Sequence, residues 1–258
     1  MNPDASNASS EPIAGETVRH GTGVNSTRAF PTTACPTHLD PFVLFERFYI
    51  DPDDGFPMHP HRGFEIVSYM LEGGMDHEDS LGVSHTATPG EAMHITAGKG
   101  IRHSELPANG AGCSGLQLWV NLPREEKDRE PNYADAAADD LPTLEEDGAT
   151  ITTVVGGGSP LEPTTELTYH DVRVTDDWTW TLPDGWTGFL YGVSGTGTVD
   201  GHEFEKGDVF PLTESRSVVL ESERGNETET ETESELRVVA VAGRPNDEEI
   251  RQQGPFVL

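Results

Sequence analysis

Short apolar runs separated by turn residues recur along most of the chain. The clearest runs are rich in β-branched and aromatic residues and end at Gly, Pro or Asp; they cover residues 42–50, 64–71, 92–96 and 116–122, then 151–155, 167–174, 189–193, 218–220 and 236–242. Runs of this length and composition are typical of β-strands. Many short strands at such spacing favour a sandwich or a barrel. The pattern therefore predicts an all-β protein.

The runs fall into two groups, which predicts two domains. Between the groups lies an acidic, Ala-rich stretch with two prolines, interpreted as a linker. The predicted divisions are a disordered, small and polar N-terminus (1–15), a first barrel (16–130), the linker (131–150), a second barrel (151–244) and a tail that packs on the first barrel (245–258). Residues 124–129 predict one helical turn. Residues 225–235 alternate Thr and Glu without an apolar face, which predicts a solvated acidic loop.

The charge of the chain indicates which partners it can bind and the salt concentration in which it works. The 258 residues include 46 Asp and Glu against 16 Lys and Arg, for a formal net charge of −30, and three of the basic residues are lysines. Such an acidic surface repels phosphate backbones and anionic membranes, so direct nucleic-acid binding is excluded. At about 1 M salt the Debye length falls to roughly 3 Å, which screens the carboxylates from one another. We expect a salt-adapted, halophilic protein; an ordinary acidic cytosolic protein is the alternative.

The sequence points to a cytoplasmic protein. The N-terminus lacks the basic and apolar regions of a signal peptide, and no apolar run reaches the 18 residues of a membrane span. Cys35 and Cys113 form no CxxC pattern, which predicts two free thiols in a reducing compartment. We expect a monomer.

Two short segments carry candidate metal ligands. His59 and His61 alternate on a predicted strand, so they share a face. His103 and Glu105 share a face in the same way, after a glycine-rich turn. If a barrel pairs the two segments, three imidazoles and one carboxylate meet in one cavity. This donor set suits Fe(II), Mn(II), Ni(II) or Zn(II), with Co and Cu also open. The alternative is a group of hydrogen-bonded histidines at a barrel rim.

Longer motifs resemble the pirin family of the cupin superfamily. The resemblance is strong over about residues 38–130 and thins to isolated landmarks beyond, and it rests on residues 39–42, 59–65, 68–69, 71–74, 77–79, 96–101, 115–122 and 254–257. It implies a bicupin, two tandem cupin barrels of the double-stranded β-helix or jelly-roll type. One mononuclear metal, most simply Fe(II), would lie in the first barrel and none in the second.

The resemblance also implies the ligands, which are His59, His61, His103 and Glu105. Many other cupins use a glutamate four residues after His-x-His, so Glu65 is an alternative ligand or a residue that orients one. Phe56, Met58, Phe64 and Trp119 are candidates to line a substrate pocket, with core packing as the simpler role. The remaining histidines, among them His77, His85, His94, His170 and His202, are expected to be structural.

Family resemblance implies two functions from different classes. The first is a dioxygenase of the quercetin 2,3-dioxygenase type, which opens a flavonol ring and releases carbon monoxide. Its substrates would be dioxygen and a small flavonol, enol or catechol-like molecule, with Glu105 as the catalytic base. The second is a non-catalytic, iron-dependent regulator that acts through a protein partner, as a transcription co-regulator or enzyme modulator. A metal-bound protein without turnover is the third alternative.

Overall fold

The protein is described by a computed structural model that covers residues 11–21, 23–35, 38–223 and 235–258. In these ranges the chain forms 24 β-strands and three short 3-10 helices, at Ala108–Gly110, Arg124–Glu126 and Ala138–Asp140. The all-β prediction is therefore confirmed. None of the helices in the described ranges is long or apolar enough to span a membrane.

The first barrel consists of two antiparallel sheets. Its seven-stranded sheet, in the order β12-β9-β6-β11-β4-β3-β2, contains β2 (Glu16–His20), β3 (Val24–Phe30), β4 (Phe42–Ile50), β6 (Phe64–Glu72), β9 (Ala92–Thr96), β11 (Cys113–Asn121) and β12 (Asn132–Ala136). Its four-stranded sheet, in the order β5-β10-β7-β8, contains β5 (Phe56–His61), β7 (Met75–Asp79), β8 (Ser84–Ala87) and β10 (Ile101–Pro107). Both predicted metal-binding segments lie in the smaller sheet.

The second barrel repeats this arrangement. Its seven-stranded sheet, in the order β1-β20-β17-β22-β15-β14-β13, contains β1 (Ile13–Ala14), β13 (Thr143–Glu146), β14 (Ala149–Val155), β15 (Leu167–Val174), β17 (Thr187–Ser194), β20 (Asp208–Leu212) and β22 (Leu236–Gly243). Its four-stranded sheet, in the order β16-β21-β18-β19, contains β16 (Asp177–Thr181), β18 (Thr196–Val199), β19 (His202–Glu205) and β21 (Ser217–Ser222). A last hairpin pairs β23 (Gln252–Gln253) with β24 (Phe256–Val257).

Two segments differ from the sequence expectation. The chain was expected to be disordered as far as residue 15, but Ile13 pairs with Val209 in the second barrel, so β1 crosses to the sheet of the other domain. Residues 1–10 lie outside the described residues, as does nearly all of the predicted acidic loop at 225–235. The expected linker at 131–150 supplies β12 to the first barrel and β13 to the second. Backbone pairing, which local composition does not show, stabilises these segments.

The two larger sheets pack face to face through one apolar core that both barrels share. Phe45 of β4 lies with its ring centroid 4.9 Å from that of Phe189 and 5.0 Å from that of Tyr191, both on β17. Tyr69 donates a hydrogen bond to Asp171 across the same interface, at 3.0 Å. Each barrel also has a core of its own behind its larger sheet.

The C-terminal tail returns to the first barrel. Phe256 forms a parallel bridge with Arg62, and Val257 is buried in the apolar cluster that contains Phe64. The ammonium group of Lys127 donates to the carbonyl oxygen of Gly63 at 2.8 Å and lies 3.4 Å from that of Val257. The end of the chain therefore forms part of the wall around the first barrel's interior.

Candidate metal centre

Three histidines meet where β5 pairs with β10. His59 is the cross-strand partner of His103, and His61 is the partner of Ile101. One ring nitrogen from each of His59, His61 and His103 lies within 4.8 Å of the others. The alternation of side chains along each strand and the antiparallel register together bring these residues to one point. The structure thus assembles the three histidines that the sequence singled out.

The ring nitrogens of these histidines are available to a metal ion. His103 is fully buried, and neither of its ring nitrogens has a hydrogen-bond partner among the described residues. An unsatisfied buried polar group of this kind costs about 1–3 kcal/mol, which a bound ion would offset. Nδ1 of His59 lies 2.9 Å from the carbonyl oxygen of Pro57, and Nδ1 of His61 lies 3.3 Å from that of Pro255. Donation through Nδ1 leaves Nε2 of each ring to bind an ion.

The electrostatic environment keeps two of the imidazoles neutral. Burial, assisted by the neighbouring imidazoles, lowers the pKa of His61 to about 3. The same causes lower the pKa of His103 to about 3. A metal ion binds the neutral ring, so no proton has to leave these two residues near neutral pH before an ion can bind. The donor set and its protonation state therefore fit a divalent metal ion.

Glu105 lies next to the three histidines but outside their group. A shift in strand register after His103 places Glu105 opposite Phe56 on β5, and opposite His77 on β7. Its carboxylate is buried, and both oxygens lie 3.5 Å from Nε2 of Gln117. Burial raises the pKa of Glu105 above its usual value. It lines the same cavity as His59 and His61.

Glu65 occupies a different place from the one expected. Its carboxylate accepts hydrogen bonds from Thr96 at 3.0 Å and from the backbone N–H of Thr164 at 3.0 Å, and it lies 3.1 Å from Nε2 of His94. Burial alone would raise the pKa of Glu65, but the contact with His94 and the backbone donors lower it. These partners tie the first barrel to the segment that leads into the second.

Glu65, the alternative ligand, is therefore not in the group that the three histidines form. The turn between β5 and β6 resets the alternation, since Gly63 has a φ of 83°. Phe64, not Glu65, then faces the histidines, and its ring centroid lies 5.2 Å from that of His61.

His77 lies beside the site, in contact with His103, and has the structural partners expected of it. It is fully buried, its ring centroid lies 5.4 Å from that of His103, and its ring stacks on Tyr133 at 4.8 Å. Nε2 of His77 lies 3.4 Å from Oδ2 of Asp79. The register of β7 against β10 sets His77 opposite Glu105 and Asp79 opposite His103.

A cavity of about 310 Å³ opens beside the histidines. Of the four expected pocket residues, Phe56 and Trp119 line it, and the ring of Phe64 lies behind Trp119 at 4.4 Å. Met58 does not line the cavity: its position on β5 alternates with that of His59, and the residue is 42% exposed. The other lining residues are His20, Arg28, Leu44, Glu46, Gln117, Gln252 and Gly254.

Comparison with known proteins gives consistent matches over both halves. The family profile described as Pirin matches residues 23–120, and that described as Pirin C-terminal cupin domain matches residues 169–258. A Pseudomonas aeruginosa protein, provisionally named a quercetin 2,3-dioxygenase, is 38% identical over 95% of this chain and 89% of its own. Human pirin is 38% identical over 86% of this chain and 77% of its own. The crystal structure of a quercetin 2,3-dioxygenase from Acinetobacter baumannii superposes with a TM-score of 0.81 at 25% identity, covering 95% of this chain and 89% of that one.

Proposed function

This chain belongs to the pirin family, and on that premise we propose that it is a mononuclear metal-dependent dioxygenase of the quercetin 2,3-dioxygenase type. Its substrates would be flavonols or similar enols and catechols. The observation that carries the proposal is the group of three histidines, with ligand atoms within 4.8 Å of one another, beside a cavity of about 310 Å³ with aromatic residues in its wall. The names of two similar proteins support the same reaction.

In this proposal His59, His61, His103 and Glu105 hold one divalent metal ion per chain. Fe(II) is the proposed ion, and the mixed imidazole and carboxylate donors also suit Mn, Ni, Zn, Co or Cu. When bound, the ion supplies a Lewis-acidic position that holds and polarises a substrate oxygen. Glu105 lies on the same strand as His103 and lines the same cavity as His59 and His61, which supports its role as the fourth ligand.

The protein's own side chains then bind and orient the substrate. Phe56 and Trp119 offer apolar surface to a flat aromatic ring and exclude water from the cavity. Nε1 of Trp119 donates to Oε1 of Gln117 at 2.9 Å, which directs the amide NH₂ of Gln117 toward Glu105. This contact chain positions the carboxylate beside the bound ring.

Glu105 takes a second role in the proposal, as the base that accepts the proton of the substrate's enol hydroxyl. Its carboxylate is buried in the cavity wall, within reach of a hydroxyl on a substrate bound there, as a general base requires. Loss of that proton leaves the substrate as an electron-rich anion, the form with which dioxygen reacts.

Oxygen uptake by purified protein of measured metal content, with quercetin and a panel of flavonols and catechols, tests this function. The proposal expects oxygen consumption and loss of the flavonol absorbance. If fully metal-loaded protein leaves the whole panel untouched, the regulatory role through a protein partner, which the family resemblance also implies, replaces it. A search for bound proteins would then be the next experiment.

A further inference from the structure

A second polar group lines the cavity, on the wall formed by the seven-stranded sheet. His20 of β2, Arg28 of β3 and Glu46 of β4 face the cavity from this sheet, whereas His59 and His61 belong to the smaller sheet. The proposed dioxygenase chemistry uses none of these three side chains. A substrate held at the histidines would meet them with another part of its surface.

Glu46 and Arg28 form a tight, largely buried pair. Nε and Nη2 of Arg28 both donate to Oε2 of Glu46, at 2.9 and 2.8 Å, and the hydroxyl of Ser26 donates to the same oxygen at 3.0 Å. The Glu46 side chain is 7% exposed and that of Arg28 is 20% exposed. All of these short contacts converge on one carboxylate oxygen.

The other carboxylate oxygen of Glu46, Oε1, has weaker contacts than Oε2. Nε2 of His20 lies 3.6 Å from this oxygen, beyond the length of a good hydrogen bond. Burial alone would raise the pKa of Glu46, but His20 and Arg28 lower it, so the carboxylate is ionised. This wall therefore presents Oε1 as an acceptor, with the imidazole of His20 and the guanidinium of Arg28 lining the cavity beside it.

The charge of the pair selects what can bind there. Arg28 and Glu46 cancel each other, so the wall offers little attraction to a second anionic group, and Oε1 would repel one. A phenolic hydroxyl both donates and accepts, which matches a neighbouring acceptor and donor. Two adjacent hydroxyls on one ring would use both at once. A buried ion pair adds little to stability compared with apolar packing, so a role in stability alone does not explain its position on a cavity.

We propose that Arg28 and Glu46, with His20, form a recognition site for adjacent hydroxyls on the aromatic ring of the substrate that lies away from the metal-binding histidines. The protein would then prefer catechol-bearing flavonols over flavonols with an unsubstituted ring. This inference rests on the proposed function for its substrate class. It adds the residues that distinguish one flavonol from another.

The test compares three flavonols that differ only on that ring: quercetin with two adjacent hydroxyls, kaempferol with one and galangin with none. The measured quantities are kcat/KM by loss of flavonol absorbance, and Kd by quenching of tryptophan fluorescence. A hydrogen bond to a charged group contributes enough to change affinity about tenfold or more, so wild-type protein should favour quercetin over galangin by at least about tenfold. Kaempferol should fall between them.

Arg28→Met should reduce the preference to within about twofold, because it should weaken quercetin more than galangin. Glu46→Gln should act in the same direction, because the amide retains the shape but not the ionised acceptor. Arg28→Lys retains the positive charge beside Glu46 and loses the planar guanidinium group. It replaces Arg28→Met in the test if that variant does not fold. Arg244→Met is the matched control, since Arg244 forms a comparable pair with Glu166 at 2.8 Å on the exposed surface.

The outcomes separate this inference from the proposed function. If no flavonol is turned over but wild-type Kd values show the preference and Arg28→Met removes it, the recognition site stands and the dioxygenase proposal fails. If the flavonols are turned over without any preference, or if the variants weaken all three equally, the recognition site is overturned. An equal loss would indicate a role in folding only.

Discussion

His59 lies directly opposite His103 in the antiparallel pairing of β5 with β10, and their ring centroids are 4.4 Å apart. Two residues far apart in the sequence thus become neighbours through strand register alone. A shift of that register by one residue would turn one of the two rings to the outer face of the sheet. The integrity of the candidate metal centre therefore depends on this strand pair.

Changing His59 and His61 together to Ala should abolish metal binding. The double variant keeps one of the three clustered imidazoles, which is too few donors to retain an ion against a mild chelator. Elemental analysis of the purified wild type should give one metal ion per chain. His202→Ala, in the exposed part of β19, is the control and should retain the full content. Two ions per wild-type chain, or undiminished metal in the double variant, would refute the assignment.

Glu105→Gln should weaken metal binding, whereas Glu65→Gln should lower the stability of the fold. Glu105→Gln should weaken metal affinity by at least about tenfold. Loss of a residue that only hydrogen-bonds to a metal ligand already costs about that much, and Glu105 is a proposed ligand itself. Glu65→Gln should leave metal content intact and lower the free energy of unfolding by about 1.5–3 kcal/mol, since buried donors lose an ionised acceptor. Metal analysis and urea unfolding of both variants check this. Metal loss in Glu65→Gln alone would reverse the assignment.

Much of the fold could be predicted from the sequence. Its strands are either continuously apolar or alternate apolar and polar residues, and clear turn residues separate them. The expected strands at 92–96 and 167–174 have the bounds found in the structure. β1 was not predictable, because two residues carry no periodicity and their pairing with β20 is stabilised by a partner distant in sequence. Local propensity does not record such contacts.

The three clustered histidines of the site could be predicted from the sequence. Glu65 follows His61 by four residues but does not face the histidines, because the turn at Gly63 lies between them. The carbonyl oxygen of Val257 lies 1.9 Å from where a Cβ of residue 63 would stand, so the tail itself requires a glycine there. The position of His77 beside His103 could not be predicted, because only the register of β7 against β10 sets it.

Metal-free protein should lose stability as pH falls below about 6.5. His61 and His103 have pKa values of about 3 in the folded protein, against the usual 6.5 of an exposed ring. Between those values the unfolded chain binds protons that the folded chain does not, so acid favours unfolding. Urea midpoints of chelator-treated protein at pH 7, 6 and 5 measure the effect.

The comparison that isolates these two residues is the His61→Gln/His103→Gln variant. It should show a flatter dependence on pH than wild type, because the carboxylates that also titrate are the same in both proteins. Parallel curves for the two proteins would show that the histidines contribute nothing to the acid sensitivity.

Salt should stabilise the fold. The protein has a net charge of −30 and few lysines. Repulsion among its surface carboxylates destabilises the compact state at low ionic strength. We expect a higher melting temperature in molar than in tenth-molar KCl, as screening shortens the range of that repulsion. Differential scanning fluorimetry at constant pH measures it. A melting temperature that is unchanged, or lower, in molar salt would contradict the halophilic interpretation.

The most direct test of the dioxygenase proposal is the stoichiometry of gas exchange with quercetin, measured on protein of known metal content. Wild-type protein should release one carbon monoxide for each dioxygen consumed, as cleavage of the flavonol ring requires. Glu105→Gln, reloaded to the same metal content, should be slower by about 10²–10⁴-fold, the usual contribution of a general base. Oxygen uptake without carbon monoxide, or an equal rate in the Glu105→Gln variant, would contradict the account.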